Sequence, residues 1–236
     1  MYVLALYIGL GSLVLTHLYF TVIPYYAWQI HQGAKADEDL WWHSVKEAPL
    51  APLNLDYVGT ALGFGVFWAL AQAQAAPLVF GGAYSVHDLF IWFGLLWLLA
   101  RIDQACLLLP DVLTQTLMWW GLVRLGVVAP EYLPATLGAM CVIYLGGRLI
   151  QFFGNLCFAM PLVGLGDVKL LVAVTPWLGA HVIVYVLCLA STLCFVAEAI
   201  RQRCWRPKGT CAFGPYLVSA SWLVWWFEPP AIYLHS

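Results

Sequence analysis

The apolar residues of this chain gather into long windows free of charged side chains. The first charge is Lys35, and residues 1–28 read as a membrane helix, since about 20 apolar residues suffice to cross a bilayer. That segment has neither the basic start nor the small-residue cleavage site of a signal peptide, so it reads as a retained anchor. Further uncharged windows run over residues 57–87, 89–100, 112–123, 132–147, 170–197 and 209–227. The window after Lys169 contains Pro176 and the turn-like Leu178-Gly179-Ala180-His181, so it reads as two spans joined by a tight outer turn. The pattern predicts an all-α, polytopic membrane helical bundle of about eight transmembrane helices, with seven as the alternative count.

Composition agrees with the pattern. Of 236 residues, 63% are hydrophobic and 9% charged, with a mean hydropathy of +0.84, which leaves too little polar surface to coat a soluble globule. Eight crossings use roughly 160 residues, so the expectation is one integral-membrane domain over 1–236, with a polar cytoplasmic loop at about 29–56. No internal repeat or low-complexity tract divides it.

Charge sets an orientation. With an outside N-terminus, Lys35, Lys46, Arg101, Arg148, Lys169, Arg201, Arg203, Arg206 and Lys208 fall in cytoplasmic loops and only Arg124 does not. Trp41, Trp42, Trp119, Trp120, Trp222, Trp225 and Trp226 read as anchors where membrane lipids meet water. The net charge of −2 carries no basic excess, so nucleic acid is not an expected partner. The seven cysteines form no CxxC pair and lie mostly in apolar stretches, so neither a disulfide framework nor a metal site is indicated, and no cofactor is implied.

An acid in an apolar stretch is costly, so each one needs a reason. Asp37, Glu38, Asp39, Glu47 and Asp56 lie in or beside the polar loop, Glu131 and Glu228 adjoin prolines at outer edges, and Asp88 caps a span. Glu198 precedes Arg201 by three residues, a helical spacing that lets them pair. Asp111 follows Pro110 and is placed to cap a helix beginning at Val112. Asp167 closes Gly164-Leu165-Gly166-Asp167, where it is either an N-cap or a carboxylate that the two glycines leave open to close approach. Asp103 caps nothing.

Asp103 and Asp167 fall at the same predicted membrane face on different helices. Two carboxylates within hydrogen-bonding range cannot both ionise cheaply, so one keeps a proton and the pair titrates as a unit. Aspartic protease chemistry requires that state: the ionised member takes a proton from water, which attacks the peptide carbonyl, and the protonated member donates to the carbonyl oxygen.

In these residues the chain resembles the prepilin peptidases, GxGD-type membrane aspartic proteases of type IV pilus and type II secretion systems. Their signatures are an Asp, six residues, then Pro-Asp, and a Gly-x-Gly-Asp followed by x-Lys-Leu. Here stand Asp103, six residues, Pro110-Asp111, with Thr114 and Trp119-Trp120-Gly121-Leu122 following, and Gly164-Leu165-Gly166-Asp167-Val168-Lys169-Leu170. Phe213-Gly214-Pro215-Tyr216 looks like the family's segment at the start of the final helix. The resemblance implies removal of the leader from a prepilin or pilin-like (pseudopilin) precursor at the cytoplasmic face of the bacterial inner membrane. It gives Asp103 and Asp167 the catalytic roles, Gly164 and Gly166 a backbone role, and leaves Pro110, Asp111 and Lys169 as supporting motif positions. Lys169 reads as a basic side chain snorkelling at a helix end.

The departure lies near the N-terminal end. Many members carry a cytoplasmic module with paired CxxC motifs, zinc and a methyltransferase activity, whereas residues 29–56 contain no cysteine, and His31 with His43 cannot supply the four ligands usual for zinc. The expectation is a peptidase without N-methylating function. The rival class is an ion- or proton-coupled membrane transporter, but its carboxylates favour the bilayer midplane and no inverted repeat is visible. Proteases of the presenilin type share Gly-x-Gly-Asp, but their Pro-Ala-Leu and Tyr-Asp motifs are missing here.

Overall fold

A computed structural model describes residue 14 and residues 17–33, 38–48, 86–158, 163–204 and 211–227. All regular structure among the described residues is helical. A π turn over Leu18–Val22 runs into α1 (Ile23–His31), followed by α2 (Glu38–Glu47), α3 (Val86–Cys106) and α4 (Asp111–Val128). Then come α5 (Leu133–Phe158), α6 (Leu165–Leu178), α7 (Ile183–Gln202) and α8 (Gly214–Phe227), with single 3-10 turns leading into α5 and α7. Most of the first expected span, residues 57–85 of the second, and the basic residues Arg206 and Lys208 lie outside the described residues.

Among the described residues the expected windows fall on helices, and the helices in the windows 89–100, 112–123 and 132–147 continue beyond their ends. Arg148 does not end α5 at Gly147: it donates from Nη1 to Gln151 Oε1 one turn on, at 3.0 Å, and the helix continues to Phe158. The expected break after Pro176 is present. The α6 helix ends at Leu178, Gly179 takes a φ of +91° that a side chain would resist, and α7 follows after one short turn.

Among the described residues two stretches, Pro130–Cys157 and Ala180–Gln202, are long and apolar enough to cross a membrane, with mean hydropathies of 1.5 and 2.2. Only 11% and 22% of their apolar windows are buried inside the protein, so most of this apolar surface needs a nonaqueous solvent, which lipid supplies.

The chain packs as two compact units, Met1–Cys106 and Leu107–Ser236. In the first, α1 packs on α2 and α3. Tyr26 and Trp41 meet edge to face with centroids 5.4 Å apart, and both are buried. Trp41 is therefore a core residue rather than the interfacial anchor expected. Ser44 donates to Gln29 Oε1 at 3.1 Å, fastening α2 to α1.

In the second unit α6 is the central helix, packed by α4, α5 and α8, while α7 pairs with α8. Every residue of α6 from Val172 to Leu178 is buried, as expected of a helix apolar on all sides. Glycines on the flanking helices permit the close approach. A Cβ at Gly147 of α5 would lie 2.6 Å from both Val168 methyls, and one at Gly121 of α4 would lie 2.5 Å from the Trp177 indole nitrogen. Trp177 Nε1 donates to the Leu117 carbonyl at 2.9 Å. Arg124, the basic residue outside the charge rule, is buried with its guanidinium carbon 5.9 Å from the centroid of the Trp177 ring, an arrangement that lets a cation lie within the protein. Trp225 is also buried, against the expectation of an anchor, while Trp42, Trp119 and Trp120 stay exposed.

Candidate active site

The Gly-x-Gly-Asp segment forms the start of α6. Gly164 is its N-cap in extended conformation (φ −67°, ψ 136°), and Leu165 is the first helical residue. Asp167 therefore lies inside the first turn rather than at the cap, in the favourable field of the helix's amide ends. Its side chain is half-buried. A Cβ on Gly164 would come within 2.7 Å of Asp167 Oδ2, so the space beside the carboxylate exists because residue 164 has no side chain. On Gly166 a Cβ would meet Leu109 at 3.2 Å, which makes the second glycine the contact point between this motif and the segment just before Pro110-Asp111.

The two motifs are also fastened by charge. Lys169 Nζ donates to both Oδ1 and Oδ2 of Asp111, each at 2.6 Å. This corrects one expectation. Pro110, not Asp111, is the N-cap of α4, and Asp111 makes no capping hydrogen bond because its carboxylate is turned to Lys169. Lys169, about a third of whose side chain is exposed, thus has a partner that its position at a helix end did not reveal. Thr114, buried one turn into α4, lies 3.3 Å and 3.0 Å from the carbonyls of Pro110 and Asp111 and steadies the helix start.

Asp103 is buried, with 5% of its surface exposed, near the end of α3, three residues before Cys106 closes that helix. Leu107 then takes a left-handed φ of +56°, which turns the chain out of α3 ahead of Leu109 and Pro110. Asp103 belongs to the first compact unit and Asp167 to the second, and each is positioned by its own helix.

The surroundings of Asp167 hold more than the motifs promised. Glu198 pairs with Arg201 as its spacing indicated, at 2.8 Å from Nη2 and 3.0 Å from Nε, and also accepts from Gln202 at 3.1 Å. Cys194 on α7 lies within electrostatic reach of Glu198 and of Asp167. It also meets Cys211, with the sulfurs 2.9 Å apart. No sequence signal marked that meeting, since 17 positions separate the two cysteines. Phe213-Gly214-Pro215-Tyr216 starts α8 as expected: the Phe213 carbonyl accepts from the amides of Tyr216 and Leu217, both at 3.1 Å, and Pro215 occupies the first turn, where a missing N–H costs nothing.

The fold and site define an all-α membrane protein in which a Gly-x-Gly-Asp helix start is clasped to a Pro-Asp helix start. Residues 90–198, a little under half of the chain, match the Type IV leader peptidase family. Among its relatives are proteins named Prepilin leader peptidase/N-methyltransferase. That of Dickeya chrysanthemi is 37% identical over 147 residues, covering 60% of this chain and 51% of the relative. That of Klebsiella pneumoniae is 37% identical over 145 residues, covering 59% of each. That of Escherichia coli (strain K12) is 32% identical over 164 residues, covering 65% of this chain and 66% of the relative. The chain thus spans about half the length of the first and under two thirds of the second. No solved structure matches it at a significant level.

Proposed function

We propose that this chain is an aspartic endopeptidase that removes the leader peptide from type IV prepilins or pilin-like precursors at the cytoplasmic face of the inner membrane. Asp103 and Asp167 act as the dyad, within a single peptidase domain over residues 1–236. The observation that carries the reading is the clasp between the two motifs. Gly166 packs on Leu109, Lys169 grips Asp111, and only five residues of chain separate Leu109 from Asp103. The family match over residues 90–198 and the printed names of the relatives support it.

One aspartate, ionised, takes a proton from a water molecule as that water attacks the scissile carbonyl. The other, protonated, donates to the carbonyl oxygen, and the pair then returns a proton to the leaving amine. The open side of Asp167 created by Gly164 gives an extended substrate strand room beside the carboxylate. Prepilin or pseudopilin is the partner, membrane lipids surround the apolar helices, and about eight spans carry the chain through the bilayer. The chain acts without N-methylating activity, because residues 29–56 offer no cysteine for a zinc module.

Asp103→Asn and Asp167→Asn test the dyad. Each variant should stay in the membrane and lose leader removal, because each replaces a group that must exchange a proton. Full processing by either variant rules the dyad out.

A further inference from the structure

Cys194 on α7 and Cys211, in the segment entering α8, are both free, half-buried thiols with sulfurs 2.9 Å apart. They line a cleft with Ser191, Glu198, Gln202 and Phe213, open to the surface, so a small reagent can reach them. A disulfide has an S–S distance of about 2.05 Å, so bonding asks for less than about 1 Å of travel from side chains already in contact. Metal binding does not compete for the pair. Among the described residues no group of three or more His, Cys, Asp or Glu side chains could hold an ion, and the neighbouring Glu198 is engaged by Arg201 and Gln202.

We propose that Cys194 and Cys211 are a redox-responsive pair that closes to a disulfide by exchange with a soluble disulfide, fastening α7 to the entry of α8 and slowing the peptidase. The exchange balances. One thiol gives up its proton and attacks a sulfur of the soluble disulfide, releasing one thiol and leaving a mixed disulfide. The second cysteine loses its proton, attacks the protein sulfur of that mixed bond and releases a second thiol. Two protein S–H bonds become one S–S bond, and the soluble disulfide is reduced to two thiols. A reducing cytoplasm keeps the pair open and an oxidising shift closes it.

The position gives the bond a consequence. Cys211 is two residues from Phe213, where the third motif begins, and Cys194 lies within electrostatic reach of Asp167. Closing the bond turns residues 194–211 into a covalent ring whose sequence contains Arg201, Arg203, Arg206 and Lys208. The effect on rate rests on the peptidase reading, but the bond itself does not.

The test uses the full-length purified protein, incubated with oxidised glutathione or with dithiothreitol and mapped by mass spectrometry without reduction. The expected result is a linked peptide pair joining positions 194 and 211, reversed by dithiothreitol and absent from Cys194→Ala and Cys211→Ser. Leader removal by the oxidised wild type should fall at least about fivefold, while both variants keep the reduced wild-type rate under either condition. Absence of the linked pair after oxidation overturns the proposal, and a linked pair with unchanged processing overturns its regulatory half. A protein that cleaves no prepilin even when reduced refutes the peptidase reading, and the mapped bond still decides the thiol pair.

Discussion

Lys169 holds both carboxylate oxygens of Asp111 at 2.6 Å across 58 positions of sequence. The pair is partly exposed, with 32% and 37% of the two side chains accessible, so it contributes only about 0–1 kcal/mol to stability. Its weight lies in position, because Lys169 is two residues beyond Asp167. Asp111→Asn and Lys169→Met should each shift the unfolding midpoint little and each lower leader removal by roughly tenfold through a slightly displaced α6 start. The double variant should be no slower than either single one. A processing assay on the double-mutant cycle checks this, and additive losses would mean that the two side chains act separately.

Gly164→Ala isolates the space beside the proposed catalytic acid. The backbone there (φ −67°, ψ 136°) suits alanine, and the residue is exposed, so thermal stability should hardly change. The new methyl, 2.7 Å from Asp167 Oδ2, must push the carboxyl aside. Processing should fall by roughly 10- to 100-fold. Unchanged processing would show that catalysis does not depend on where this carboxyl rests.

Gly121→Ala should destabilise the second unit. Its methyl would collide with the Trp177 ring and with Pro176 and break the indole hydrogen bond to the Leu117 carbonyl. Overpacking costs about 1–3 kcal/mol, and stranding a buried N–H adds a similar amount. Gly126→Ala on the same helix meets nothing within 4 Å and should stabilise by about 0.5–1 kcal/mol through helix propensity. Unfolding midpoints in detergent compare the two, and equal shifts would contradict the close α4–α6 contact.

Incubation of the purified chain with a methyl donor and a processed pilin should leave the pilin N-terminus unmethylated, as read by intact mass. Methyl transfer would show that the second activity in the relatives' name extends to this protein without a cysteine-built zinc module.

Local chemistry made the helices legible. Charge-free windows marked α3, α4, α5 and α8, and Pro176 followed by Gly179 marked the break between α6 and α7. Spacing also identified the Glu198–Arg201 pair, because one helical turn is a local distance. What stayed hidden was nonlocal. Asp111 looked like a cap because its neighbours in sequence are a proline and a helix, while its actual partner comes from another helix. A hint existed in the opposite charges of Pro-Asp and x-Lys-Leu, two motifs assigned to one membrane face. Cys194 and Cys211 carried no such hint, since only the packing of α7 on α8 brings them together. Trp41 and Trp225 were misjudged for a related reason: an indole suits both an interface and a core, and only the fold selects between them.

The α6 helix is tied to α4 at two levels, by Lys169 near its start and by the indole of Trp177 near its end, about 12 Å apart along its axis. A rod lashed to its neighbour at two heights resists tilting as well as sliding. The acid it carries in its first turn is thus aimed by a braced two-helix strut, so an injury at the far lashing will be felt where the acid points.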